Sequence, residues 1–141
     1  MAKQTKKQGR KKKYFYAVGR RKAAVATIRL FEGKGEWSVN GKTIDKYFPG
    51  KVCEYFYKKP LVISESDGKF HGVIRIVGGG KVSQLEAVVL ATSRALDKYN
   101  SSVYRPILKK AGLLTVDARV RERRKAGQMG RARKKKQSPK R

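Results

Sequence analysis

The chain has 141 residues, 37 of them Lys or Arg and 10 Asp or Glu, giving a formal net charge of +27 and a pI near 10.6. That length suits one domain with tails, and such a charge calls for a polyanion, of which nucleic acid is the usual one. An anionic membrane is disfavoured. No amphipathic basic helix or lipid anchor accompanies the charge, no apolar run approaches the roughly 20 residues that cross a bilayer, and no apolar stretch follows the basic N-terminus to make a secretory signal.

The charge is concentrated at the ends. Residues 1–13 hold seven bases and no acid, and residues 117–141 hold twelve bases against Asp117 and Glu122. Residues 14–116 carry regular apolar segments and can bury one modest core, whereas the ends are too polar to do so. The expected layout is a basic N-terminal arm (1–13), an α/β body (14–116) and an extended basic tail (117–141). Cys53 is the single cysteine, so no intramolecular disulfide is expected and a reducing, intracellular setting is the simpler reading.

Tyr14 to Leu30 reads as a strand, with Ala24, Ala26, Ile28 and Leu30 on one face and Val25, Thr27 and Arg29 on the other. Gly33 and Gly35 break it, Glu36 to Val39 returns as a second strand, and Asn40-Gly41 is a strong turn signal. Thr43 to Phe48 reads as a short helix stopped by Pro49-Gly50, and residues 52–58 lean towards helix. Pro60 opens an expected strand at Leu61-Val62-Ile63, Asp67-Gly68 turns it, and Phe70 to Val77 pairs back with Ile74 and Ile76 on one face. After Gly78-Gly79-Gly80 comes the clearest helix, with Ser83 and Glu86 as a capping box. Its apolar stripe is Leu85, Val88, Val89, Thr92, Leu96 and Tyr99, and Asn100 is its C-cap. A last short helix starts near Pro106 and stops at Gly112. Strands followed by helices over a small sheet make a two-layer α/β arrangement.

Catalysis finds little footing. His71 is the one histidine and lies inside a strand pattern, with no nucleophile elbow near it to build a triad. Neither H-E-x-x-H nor C-x-x-C occurs, so no metal site and no cofactor is expected. Gly78-Gly79-Gly80 with Lys81 at a helix start can cradle a phosphate, or it can permit a tight turn and close strand–helix packing. A small kinase-like enzyme built on that loop lacks both a nucleotide-binding lysine motif and a general base.

Binding chemistry is better supplied. Arg10, Lys11, Lys12 and Lys13 lead through Tyr14, Phe15 and Tyr16 to Gly19-Arg20-Arg21-Lys22, a strip of cations with stacking surface inside it, two of the three rings being expected in the core. As a bland alternative, Arg20, Arg21 and Lys22 are a solvated strand end that discourages strand addition. In the tail, Arg119, Arg121, Arg123, Arg124 and Lys125 precede Gly127 and Gly130, followed by Arg131, Arg133, Lys134, Lys135, Lys136, Lys140 and Arg141. So few small apolar residues interleave that the tail is expected not to fold on itself. Arginine suits bidentate phosphate contact, and an unstructured basic arm orders between nucleic-acid helices as it binds. A solubility tail or nuclear-import signal is the alternative.

These motifs, taken in order, resemble the bacterial-type small-subunit ribosomal protein nine family. The likeness covers about residues 14–141. It runs through Gly19-Arg20-Arg21-Lys22 and Val39-Asn40-Gly41-Lys42, then Gly78-Gly79-Gly80-x-x-Ser83-Gln84-x-x-Ala87-x-x-x-Ala91-x-Ser93-Arg94-Ala95-Leu96, and finally Leu113-Leu114-Thr115-x-Asp117-x-Arg119-x-x-Glu122-Arg123 before Lys140-Arg141. The resemblance implies an α+β fold like the second domain of small-subunit ribosomal protein five: a roughly four-stranded mixed sheet, helices on one face, and a left-handed β-α-β crossover against the usual rule.

The resemblance further implies a structural, non-enzymatic protein in the head of the small subunit, cytoplasmic, with 16S-type ribosomal RNA and neighbouring head proteins as partners. The basic residues from Arg10 to Lys13, Arg20 to Lys22, Lys81 and the tail up to Lys136 would bind that RNA, and Lys140 and Arg141 would approach the anticodon stem-loop of P-site transfer RNA. The tail departs from the family pattern in ending Gln137-Ser138-Pro139-Lys140-Arg141, without an aromatic before the last cations, and in a slightly longer Gly127–Ala132 segment. A free RNA- or nucleoid-associated protein is the competing reading, and it would need only charge.

Overall fold

The computed structural model describes residues 13–134. Elements run β1 (Phe15–Arg21), β2 (Ala24–Glu32), β3 (Ser38–Val39), β4 (Lys42–Thr43), α1 (Ile44–Tyr47), α2 (Lys51–Ile63), β5 (Phe70–Val77), α3 (Lys81–Tyr99) and α4 (Ser101–Lys110). The strands form one five-stranded mixed sheet in the order β1-β2-β5-β3-β4. All pairs are antiparallel except β3 with β5, and α1 and α2 fill the crossover between those two strands. The α+β class holds; β3 is the strand expected at Glu36 to Val39, shortened to two residues, and β4 is an additional short strand.

Alternation decides what the sheet buries. Ala17, Ala24, Ala26, Ile28, Leu30, Ile74 and Ile76 point to the helix side and are almost fully buried, with successive residues of each strand alternating across the sheet. Helix α3 supplies the matching surface through Leu85, Ala87, Val88, Ala91, Ala95 and Leu96. The alanines let it come close to β1: a Cβ on Gly19 would stand 2.0 Å from the Ala87 carbonyl oxygen.

Several expected elements are corrected. The single strand from Tyr14 to Leu30 is a hairpin, β1 paired with β2 through a two-residue turn at Lys22-Ala23. Lys22 takes φ +52° there, a conformation that no Gly or Asn announces. Leu61 to Ile63 is the last turn of α2 rather than a strand, and Pro60 lies buried inside that helix. β5 therefore pairs back on β2, Ile28 opposite Ile74, and not on residues 61–63. Helix α4 starts at Ser101, so Pro106 is interior; burial of Tyr104 and Leu108 offsets the backbone bond a helical proline forgoes. Ser83 is inside α3, whose N-cap is Gly80 with no side-chain cap bond. Glu86, the other half of the expected capping box, instead reaches Arg21.

The glycine loop is a packing device. Gly78 and Gly79 adopt φ +73° and +68°, and Cβ atoms there would meet the Ala23 carbonyl oxygen at 2.4 Å and Ala24 Cβ at 2.7 Å. The β1–β2 turn is thereby seated on two residues that must lack side chains.

Candidate nucleic-acid interface

The helices cover one side of the sheet and leave the other bare. On that open side, outward residues stand in rungs: Arg20 beside Val25 and Val77, Val18 beside Thr27 and Arg75, Tyr16 beside Arg29 and Val73, and Phe31 beside His71. Tyr14 completes the last rung. Of the three rings at the start of β1 only Phe15 packs against the core, not two as expected, because strand alternation turns Tyr14 and Tyr16 outward. The Tyr14 ring lies 5.8 Å from Phe31, which stacks on His71 at 5.4 Å and 18°. The Arg29 guanidinium sits 5.6 Å from the Tyr14 ring. His71 is fixed by its Nδ1, 2.9 Å from the Gly33 carbonyl.

Three arginines and a row of rings thus share one surface, and its outward strand positions include no Asp or Glu. Such a surface offers cations to phosphates and planar faces to unstacked bases. Arg29 was read from the sequence only as an outward strand position and Arg75 was not named, so neither was a candidate binding residue. Their signal was the alternation itself: with Ile28, Leu30, Ile74 and Ile76 inward, Arg29 and Arg75 have to face out.

The expected Arg20-Arg21-Lys22 unit is split by that same rule. Arg20 projects from the open face and Lys22 sits exposed in the turn, but Arg21 points to the helix side with only 13% of its side chain exposed. Its Nε donates to Glu86 at 2.6 Å, and its Nη1 donates to the carbonyls of Asp117 and Arg119 at 3.2 and 2.7 Å. Its Nη2 lies 3.3 Å from the Asp117 carboxylate. Arg21 is a clip that fastens the start of the tail to β1 and α3. Strand addition at the outer edge of β1 is opposed elsewhere, by Arg94 and Lys98 of α3, which donate to the carbonyls of Val18 and Tyr16.

The tail has no helix or strand among its described residues, but it is locally organised, contrary to the expectation that it makes no structure of its own. Arg119 grips Asp117 through Nε and Nη2. Arg133 grips Glu122 at 2.9 and 2.6 Å, and the Lys125 N–H donates to the Arg131 carbonyl. These close a loop whose tip, Met129, is 97% exposed. The arginine partners hold both carboxyls below the usual range: for Asp117 the side-chain and backbone hydrogen bonds from Arg119 lead, and for Glu122 the hydrogen bond from Arg133.

Arg121, Arg123, Arg124, Lys125, Arg131 and Lys134 are exposed and make no ion pair among the described residues. Lys13 is exposed, with its Nζ 5.7 Å from the Phe15 ring. Lys81 folds onto Tyr47, its Nζ 3.6 Å from the ring centre and 3.3 Å from the Tyr47 carbonyl oxygen. Arg10, Lys11, Lys12, Lys135, Lys136, Lys140 and Arg141 lie outside the described residues. Among the described residues, no group of three or more His, Cys, Asp or Glu could hold a metal ion, and no helix is long and apolar enough to cross a membrane.

A sequence profile of the family described as ribosomal protein S9/S16 matches residues 19–141. The chain belongs to this family of ribosomal proteins. It is similar to the small ribosomal subunit protein uS9 of Methylacidiphilum infernorum, 52% identical over 81% of this chain and 83% of that one. It is also similar to the protein of the same name from Bifidobacterium animalis subsp. lactis, 46% identical over 79% and 69% of the two chains. The protein of that name from Paenarthrobacter aurescens is 45% identical over 89% and 74%.

Proposed function

We propose that this protein is a structural, non-catalytic constituent of the small ribosomal subunit, cytoplasmic and seated in the subunit head on 16S-type ribosomal RNA among neighbouring head proteins. The observation that carries the reading is the union of a ribosomal family match with a carboxylate-free sheet face bearing Arg20, Arg29 and Arg75. That face, the Lys22 turn and the free tail arginines bind the RNA backbone, with the Tyr14–Phe31–His71 row available to an unstacked base. Residues 10–13 and 135–136 add cations at either end. The body spans residues 14–116 and the arms 1–13 and 117–141.

The last residues, Lys140 and Arg141, reach the anticodon stem-loop of P-site transfer RNA. An extended arm ending in arginine contacts phosphates without reading bases, which suits a site that must accept every transfer RNA. Arg21 secures the arm's root, so the exposed cations beyond it start from a fixed point.

Sedimentation of tagged protein through sucrose gradients tests the particle: co-migration with the small subunit should survive a high-salt wash. Release at modest salt would favour a free RNA-associated protein held by charge alone. For the tail, subunits reconstituted without residues 137–141 should assemble normally but bind P-site transfer RNA more weakly. Unchanged affinity and unchanged frame maintenance would refute the contact.

A further inference from the structure

Four of the ten acidic residues of this strongly basic chain, Glu36, Asp45, Glu54 and Asp67, line one cavity of about 740 Å³. It lies on the helix side of the sheet, walled by α1, α2 and the Val88–Thr92 stretch of α3. Lys51 and Lys58 also border it, but Lys58 is occupied by Glu54 at 2.7 Å. Asp45 accepts from the buried Tyr57 hydroxyl, whereas Glu36 and Asp67 make no side-chain hydrogen bond or ion pair among the described residues. Four carboxylates against two lysines make the lining of this cavity favour a cation over a phosphate.

Two further features say what fits. In the cavity wall, Thr92 is 1% exposed and its Oγ1 has no hydrogen-bond partner among the described residues, which is costly for a buried hydroxyl unless something brings it a partner. The cavity also adjoins a smaller hollow of about 330 Å³ that shares Lys51, Glu54 and Lys58 and is floored by Tyr55, Val62 and Ile63 of α2. Tyr55 and Val62 are mostly exposed there. A bare cation needs no apolar shelf, and the carboxylates do not converge as a metal site requires. A peptide with cationic side chains and apolar neighbours uses both.

We propose that this cavity receives an Arg- or Lys-bearing segment of another protein of the same particle, its cation between Glu36 and Asp67 and its apolar residues on the α2 shelf. The inference rests on the ribosomal reading above. The protein thus meets RNA with one side of its sheet and a basic protein segment with the other.

Photo-cross-linking inside assembled subunits tests this, with p-benzoylphenylalanine in place of the exposed Lys51. The expected product joins this position to a peptide of another subunit protein with Lys or Arg in or beside it. In the Glu36→Gln/Asp67→Asn variant the yield should fall about fivefold, as the loss of two partly exposed ion pairs implies. Thr92→Val conserves shape, so it should leave the free protein's melting temperature unchanged or raised while lowering the yield. Cross-links to RNA, to this chain's own arms or to a second copy overturn the proposal, as does a yield indifferent to Glu36 and Asp67. A chain that fails to enter the subunit removes both readings, whereas one that enters and cross-links elsewhere removes this one alone.

Discussion

Adjacent arginines in one motif should behave as two different kinds of residue. Arg20→Ala removes an exposed cation from the open face, where its side chain makes no hydrogen bond or ion pair among the described residues, and such surface changes stay within about 0.5 kcal/mol of stability. If that guanidinium neutralises one phosphate, the slope of log affinity against log salt becomes shallower by about 0.7–0.9. Arg21→Ala removes a side chain that is 13% exposed, its 2.6 Å pair with Glu86, and two donations to tail carbonyls. Glu86 is itself 46% exposed, so water recovers much of that pair and its share is about 0.5 kcal/mol. The carbonyl bonds add roughly 1 kcal/mol between them, since part of their loss frees only the tail. A total near 1–2 kcal/mol lowers the melting temperature by on the order of 5 °C in a domain of this size. Calorimetry on both variants, with filter binding to ribosomal RNA from 50 to 300 mM salt, separates the two roles. A changed salt slope with an unchanged melting temperature for Arg21→Ala would refute the clip.

Gly19→Ala should destabilise by about 3 kcal/mol in urea unfolding, because its Cβ would stand 2.0 Å from the Ala87 carbonyl oxygen and 2.6 Å from the Ala91 nitrogen and must lift α3 from β1. A loss below about 0.5 kcal/mol would mean that α3 shifts freely. Arg29→Gln/Arg75→Gln should make the salt slope shallower by about 1.4–1.8 with little change in melting temperature; no change in slope would leave the open face without RNA. The tail clips should respond to acid in one direction. Asp117 and Glu122 have carboxyls depressed by Arg119 and Arg133, so these contacts are at full strength above the ordinary carboxylate range. They weaken only as pH falls through the depressed values. Amide exchange of residues 117–133 should therefore be flat from pH 7 to pH 5 after correction for intrinsic rates, and release of the tail within that window would contradict the assignment.

Where side-chain periodicity was the controlling physics, the fold could be read in advance. Phe70 to Val77 and the long helix through Leu85 to Tyr99 announced themselves by spacing, as did the Asn40-Gly41 turn between β3 and β4. Failures came where tertiary contact overrode a local signal. The Lys22-Ala23 turn exists because Gly78 and Gly79 accept it from across the sheet, a contact 55 residues away in sequence that no local rule registers. Pro60 and Pro106 looked like element starts, yet each sits within a helix beside residues whose burial outweighs one missing backbone bond. The binding face followed the same division. Arg20 was legible as a cation, but that Arg21 turns away from it to hold the tail depended on strand parity plus the positions of Glu86 and Asp117.

Charge placement links these observations. A chain with a net charge of +27 can spare few carboxylates, because each one weakens its hold on a polyanion. Its acids are placed where that cost is small. Glu86, Asp117 and Glu122 each hold an arginine at the tail or its root, ordering the arm's path while most of its cations stay exposed. Glu36, Asp45, Glu54 and Asp67 gather on the helix side, with the whole sheet between them and Arg20, Arg29 and Arg75. Moving one of those carboxylates to the open face, as in Thr27→Glu, places it between Val18 and Arg75 on one rung. That substitution should cost more RNA affinity than Arg75→Gln, since it both pairs with the arginine and repels the phosphate. A Thr27→Glu protein with undiminished ribosomal RNA binding would show that the sorting of charge between the two sides has no bearing on what the open face does.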